Sequence, residues 1–329
     1  MPLRSKLTAF LAKVESTAGT DASPTASADA ILHDGVPEMA PAPNVADSPE
    51  STGSLDMGEP DIGLLPMVCR VTVPLKHAGG AAEDVPEIDP LLRCCGLAQN
   101  VQSATIPSGG AGNASGGSTT TVTVDTAVET DFPAVDDSLI GAPITLSTNP
   151  ATPVTTFITG YSMSGTVATI TLAHTFGSAL DATTDVLVEK HVRYLPASSS
   201  IPAATLYAYL DGLLRKMVGS RGDFTLTGVN GQRPQIAFNL QGLFGGADSD
   251  VALPAVTVDA SLPVTWKGGL ATVNRIAVGL NTFSLTAGNS IALPDNPNAT
   301  EGFDPAEITA RNLQGSVDPV ERLVATAAE

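Results

Sequence analysis

The sequence predicts a mainly β protein with one short helix, and three observations carry that reading. Apolar residues fall in short runs that alternate with Thr, Ser, Gln and Asn, the period of half-buried strands. Gly (31) and Pro (25) punctuate those runs throughout the 329 residues, as in turn-rich β folds. The composition is 43% hydrophobic but only 4% aromatic, so the core must be Val, Leu, Ile and Ala. At this length the chain holds one large or two ordinary domains.

Taken in order, Leu7, Phe10, Leu11 and Val14 sit at i, i+3, i+4 and i+7, which predicts an amphipathic helix within residues 1–16. The run Leu7–Ala12 is shorter than the core of a signal peptide, roughly 7 residues or more, and Lys13 interrupts it. Residues 17–65 are rich in Ala, Ser, Pro, Asp and Glu. They are expected to be largely extended, with sparse regular structure, wrapping a surface or a neighbouring subunit. Leu65–Leu75 is a strand candidate ending at Pro74, and residues 76–88 a polar loop. Asp89–Gly96 carries helix punctuation: Asp89 as N-cap, Pro90 in the first helical position and Gly96 at the stop.

Residues 101–118, which include PSGGAGNASGGS, have the composition of a flexible linker. Residues 119–193 form an inserted all-β domain of short alternating runs: Thr119–Val124, Val135–Leu139, Ile144–Leu146, Thr155–Ile158, Val167–Leu172 and Val186–Val192. Four short strands follow within Ala204–Phe244. Leu206–Leu210 meets Leu213–Val218 across Asp211-Gly212, a two-residue hairpin signal. Phe224 and Leu226 alternate with threonines, then Asn230-Gly231 makes a second turn of that kind. Ile236, Phe238 and Leu240 alternate with Gln235, Ala237 and Asn239. Ala255–Val258, Leu262–Trp266 and Ala277–Leu285 are later strands, and the last residues read as disordered.

Net charge is −18. Such a surface repels phosphate and argues against gripping nucleic acid, although it suits a wall that DNA slides past. Cys69, Cys94 and Cys95 are an odd set without metal-site spacing and read as free buried thiols from a reducing compartment. His33, His77, His174 and His191 have no base or ligand at motif spacing and read as ordinary surface or turn residues. There is no G-x-S-x-G elbow and no P-loop ending. Arg221-Gly222-Asp223 spells an adhesion tripeptide but reads as structural. The acidic run Asp295–Asp304 lacks EF-hand spacing. No stretch approaches the roughly 18 apolar residues of a membrane span. The reading is therefore no enzyme, no cofactor, no metal site and no membrane span.

Three stretches carry a resemblance: LAKVESTAGTDASPTASADAIL (Leu11–Leu32), VPEIDPLLRCCGLAQ (Val85–Gln99) and LYAYLDGLLRKMVGSRGDFTLTGVNGQRPQIAFNLQGLFG (Leu206–Gly245), with ITARNLQGSVDP near the end. Their order along one chain resembles the tail tube (major tail) proteins of long-tailed bacteriophages. It covers roughly residues 1–100 and 194–317, and residues 101–193 depart from it as an insertion.

The resemblance implies a tail-tube-type β-sandwich or barrel with a short flanking helix. Six copies would form a ring by joining sheets, and rings would stack into a tube that conducts DNA from capsid to host. The partners it implies are further copies of the chain, a tail tip or initiator protein, a tape-measure protein and a tail terminator. Genomic DNA would pass through the lumen without specific binding. The protein would be assembled in the host cytoplasm and reside in the virion tail, with the inserted domain on the tube exterior. Candidate ring-assembly residues are Leu206, Tyr207, Tyr209, Leu210, Asp211, Gly212, Phe224, Leu226, Ile236, Phe238 and Leu240; Leu91 and Leu92 are helix-packing candidates. Two other readings stay open: a minor tail or decoration protein whose inserted domain binds host-surface glycan or receptor, and a cell-wall hydrolase with paired carboxylates.

Overall fold

The computed structural model describes residues 6–43, 45–47, 61–63, 65–147, 152–267, 271–273 and 275–320. The chain is mainly β, with one short helix among the described residues. Ten strands make the main sheet. Its spine runs Ala30–Ile31, Thr8–Val14, Ala204–Leu210, Leu213–Val229, Gln235–Phe244, Pro66–Pro74, Asp34–Pro41, each antiparallel to its neighbour.

The helix expected within residues 1–16 is a strand instead. Thr8–Val14 lies between two partners and is buried on both faces. Phe10 and Ala12 enter the main core, while Ala9 and Leu11 join a second cluster with Tyr207, Tyr209 and Leu214. A continuous apolar run fits a buried strand as well as a helix, and here two sheet neighbours decide it.

The four short strands expected in Ala204–Phe244 are three. Leu213–Val229 is one strand of 17 residues. Its register shifts between Val218 and Arg221, at a bulge where Gly219 has φ 62°. The bulge turns the strand, so its first half pairs with Ala204–Leu210 and its second half with Leu280–Thr286 along the same edge. Leu280–Thr286 carries Gln314–Pro319 on its far side, and the sheet curls into a half-barrel. At Asp211-Gly212 both residues have positive φ, 45° and 97°, as the two-residue turn requires. At Asn230-Gly231 only Gly231 does, at 79°. That turn is longer: residues 230–234 link the strands, and the Gln232 N–H donates to the Val229 carbonyl at 3.0 Å.

Helix Asp89–Cys94 forms, but Ile88 is its N-cap and no side chain caps it. The Asp89 carboxylate instead accepts the Tyr194 hydroxyl at 2.9 Å and faces Arg93 at 3.5 Å. Leu91, Leu92, Cys94 and Cys95 close the main core over Phe10, Leu206, Met217 and Leu240.

The described parts of residues 17–65 hold more strand than their composition predicts. Asp34–Pro41 pairs with Pro66–Pro74, and Val45–Ala46 with Asp61–Ile62. Pro66–Pro74 lies between Asp34–Pro41 and Gln235–Phe244, so Asp34–Pro41 is a sheet edge. Ala255–Val258 and Leu262–Trp266 are not strands, because no neighbour offers them a ladder. They belong to a loop that covers the second cluster through Leu253 and Val258. Ala277–Leu285 divides into Ile276–Val278 and Leu280–Thr286.

A second sheet of seven strands has its own core, from Ile106 to Val188, with Ile144, Ile158, Tyr161 and Ile170 at its centre. Residues 101–118 are not simply a linker. Gly112–Asn113 and Gly116–Gly117 are this sheet's outer strands, where backbone without side chains can pair closely. Val135–Leu139 is a turn with Leu139 buried. Val186–Val192 splits into Asp185–Val188, inside the module, and His191–Pro196, which pairs with Leu97–Gln102 in a separate ribbon. The module is thus joined to the main sheet through a two-stranded ribbon.

Candidate functional site

Several polar clusters could be mistaken for chemistry, and each binds parts of the fold together. Glu15, 6% exposed, accepts the N–H of Gly19 at 2.7 Å, the N–H of Gly219 at 2.7 Å and the Thr205 hydroxyl at 2.8 Å. Gly219 is the bulge residue. An added Cβ at Gly19 or Gly219 would lie 3.0 Å from the Pro305 ring, and both glycines have positive φ. Three chain segments therefore approach backbone to backbone here, and the Glu15 carboxylate satisfies their buried donors.

Lys76 and Glu87 form a buried ion pair at 3.1 Å, with side chains 2% and 10% exposed. Lys76 also donates to the Asp259 carbonyl, and Glu87 accepts the N–H groups of Leu32 and Asp259. The Asp259 carboxylate is held down to about 2 by backbone N–H groups of Ser261 and Gly79. This node fastens the loop over the second cluster. Burial holds the Asp89 carboxyl above its ordinary value, against the pull of Tyr194 and Arg93.

Arginines here grip backbone carbonyls. Arg221 donates to Ile201 and Ala306, so the adhesion tripeptide is locked inside a junction. Arg311 holds Gly96 and Ala197, and Arg193 holds Ile140 and Ser138. His33 donates its Nδ1–H to the Ile31 carbonyl at 3.2 Å and pairs through Nε2 with Thr8 Oγ1 at 3.0 Å, pinning the short strand Ala30–Ile31 at the side of a cleft of about 570 Å³. His191 is buried rather than a surface histidine, with Nε2 unpartnered. The three cysteines are free and fully buried; burial pushes the Cys69 and Cys95 thiols well up, so neither supplies a thiolate. Among the described residues no group of three or more His, Cys, Asp or Glu is arranged to hold a metal ion.

The sequence-predicted assembly residues lie inside the subunit. Leu206, Phe224, Ile236, Phe238 and Leu240 are in the main core, with Leu226 half-buried against it. Tyr207 and Tyr209 are in the second cluster, where the Tyr207 hydroxyl donates to Asp21 at 2.6 Å and Lys216 lies over its ring. Leu210, Asp211 and Gly212 make the exposed-side turn. Their side chains build the sheet and leave little surface for a partner. Leu91 and Leu92 pack the helix onto it, 0% and 7% exposed.

The surfaces open to a partner are the sheet's edges. All residues of Gln314–Pro319 are exposed, and among the described residues its only ladder partner is Leu280–Thr286. Leu313 and Val317 are each 55% exposed and Val320 45%. On the opposite edge Asp34–Pro41 has Pro66–Pro74 as its only ladder partner among the described residues. Leu262 and Val264 are 81% and 63% exposed, in the loop whose Trp266 carbonyl accepts the Gly231 N–H and whose Trp266 N–H donates to the Gln232 carbonyl, each at 2.9 Å. Alternation shows which face of a strand is buried but not which strand is last in a sheet. The signal available was the exposed, turn-like sequence LQGSVDP, legible as motif and not as edge.

Among family models none matches the chain, and a search of curated proteins finds no match either. No helix among the described residues is long and apolar enough to cross a membrane.

Proposed function

We propose that the chain is the structural subunit of a bacteriophage tail tube, forming stacked rings around a channel for DNA. The observation that carries this reading is the open half-barrel with an exposed edge strand, Gln314–Pro319, at one side and Asp34–Pro41 at the other. Unpaired strand edges invite another chain. Head-to-tail pairing of unlike edges closes into a ring when the rotation allows, and a different axial contact then extends rings into a filament. A net charge of −18 keeps DNA from adhering to the wall. The motif order over residues 1–100 and 194–317 supports the same reading.

Negative-stain electron microscopy of concentrated protein at neutral pH tests it. Rings or hollow tubes of uniform width are expected. Val317→Glu, which puts a charge on the edge, abolishes them while the melting temperature stays within a few degrees. Particles that stay single at every concentration, with and without a tail-tip initiator, overturn the proposal.

A second reading gives the inserted module a binding role on the outside of a tail. Its support is the module's separate core and its covalent entry and exit through one ribbon, with Arg275 donating to the Leu172 carbonyl as well.

A further inference from the structure

A cleft of about 500 Å³ opens where the ribbon meets the module, within the roughly 300–1,000 Å³ of small-ligand sites. Asn100 and Gln102 come from one ribbon strand and Arg193 from the other; Thr105, Ser108, Asp131 and Ser138 come from the module side, with Pro133 and Leu139 as apolar floor. Planar amide and carboxylate groups thus converge with hydroxyls in one concavity.

Part of this polarity is already used. Arg193 donates to the Ile140 and Ser138 carbonyls and, at 3.4 Å, to Asn100 Oδ1. Gln102 donates to the Ala104 carbonyl, and the Asp131 carboxylate is held below its ordinary value by the Ser108 hydroxyl and by the Ser108 N–H at 2.7 Å. Those bonds fix the wall in place. They leave the Asn100 amide hydrogens, Gln102 Oε1 and the second Asp131 oxygen with capacity to spare. The Ser138 hydroxyl, also in this wall, is shut from solvent and has no partner.

From these groups we infer that the ribbon–module cleft is a binding site for a neutral saccharide unit, with Asn100, Gln102 and Asp131 as its hydrogen-bonding groups. A sugar ring offers vicinal hydroxyls that both donate and accept. Adjacent amides and a carboxylate match that pattern in ways a purely apolar or purely charged ligand does not. The guanidinium and the carboxylate oppose each other, so the cleft selects neither anion nor cation. The inference is independent of tube formation, since the cleft is complete within one chain. A bound sugar would touch both ribbon and module and stiffen the joint between them.

Titration of the unassembled full chain with a panel of neutral mono- and disaccharides, followed by saturation-transfer NMR and calorimetry, tests it. At least one neutral sugar is expected to bind, with affinity at least tenfold weaker in Asn100→Ala and Asp131→Asn. Thr155→Ala, on the module's outer face, leaves affinity unchanged. Asp131→Asn keeps the shape and one acceptor, so its loss is not a folding effect, and matching melting curves confirm that. No binding across the panel overturns the inference. So does binding indifferent to Asn100 and Asp131, or binding confined to anionic sugars. Electron microscopy of the same preparation reports assembly separately, so failure of the tube reading and failure of this site are told apart.

Discussion

At the residue scale, Glu15 is the side chain whose loss reads most cleanly. Its buried carboxylate answers two backbone N–H groups and a hydroxyl. Glu15→Ala leaves those three donors unpaired and is expected to cost at least about 3 kcal/mol, at about 1–3 kcal/mol per orphaned group. Glu15→Gln, which keeps one acceptor, costs less. Urea unfolding midpoints check both. His191 makes a second residue-scale prediction. Burial lowers its imidazole below the ordinary 6.5, and Arg193 adds to that while the hydrogen bond with the Glu189 carbonyl opposes it. With a lowered folded value, the unfolded chain takes up the proton first as pH falls. The stability is therefore full above about pH 6.5 and declines below it. Thermal melts between pH 7.5 and 5 are expected to show the module transition falling, and His191→Gln to flatten that dependence.

Elements show what could be read in advance and why the rest could not. The helix around Leu91 and Leu92 was legible because Pro90 and Gly96 punctuate it, although its cap was misassigned: Asp89 turned to Tyr194, a partner more than a hundred residues away in sequence. The strands Pro66–Pro74 and Gln235–Phe244 were legible from alternation alone. Thr8–Val14 was not, because burial on both faces erases the period that separates strand from helix. Leu262–Trp266 was misread for the opposite reason: it alternates, but no ladder meets it. Of the candidate assembly residues, alternation recovered core positions, while edge positions depend on which strand has no further neighbour. Leu92→Asp is expected to prevent folding, since an unpaired charge in that core costs at least about 3 kcal/mol. Leu92→Ala costs about 2–5 kcal/mol and keeps the fold. Circular dichroism separates the two outcomes.

For the whole molecule, the division into two sheets sets the expected behaviour. The last ribbon pair on the module side is His191 with Gln102. Replacing residues 103–190 by a short Gly-containing turn is therefore expected to leave the main sheet folded, with melting within a few degrees of the parent. Loss of the main-sheet core in that variant, seen by hydrogen exchange at Leu206 and Leu240, would show that the two sheets depend on each other. In the proposed tube the same variant gives narrower tubes with unchanged ring repeat.

The ribbon also bears on the order in which the chain finds its shape. Closing a loop grows costlier by about 0.6 kcal/mol per doubling of its length. While residues 103–190 are unformed, Leu97 and Pro196 are joined by a long slack segment. Once the module has condensed, its two exits sit side by side, as if only a handful of residues separated them, and closure becomes easier by roughly 2 kcal/mol. The pairing of Ala204–Leu210 with Thr8–Val14 then starts from a chain that is effectively shorter. A late-emerging half of the main sheet is thus brought to its partner by an early-folding insert, and slowing the module slows the whole.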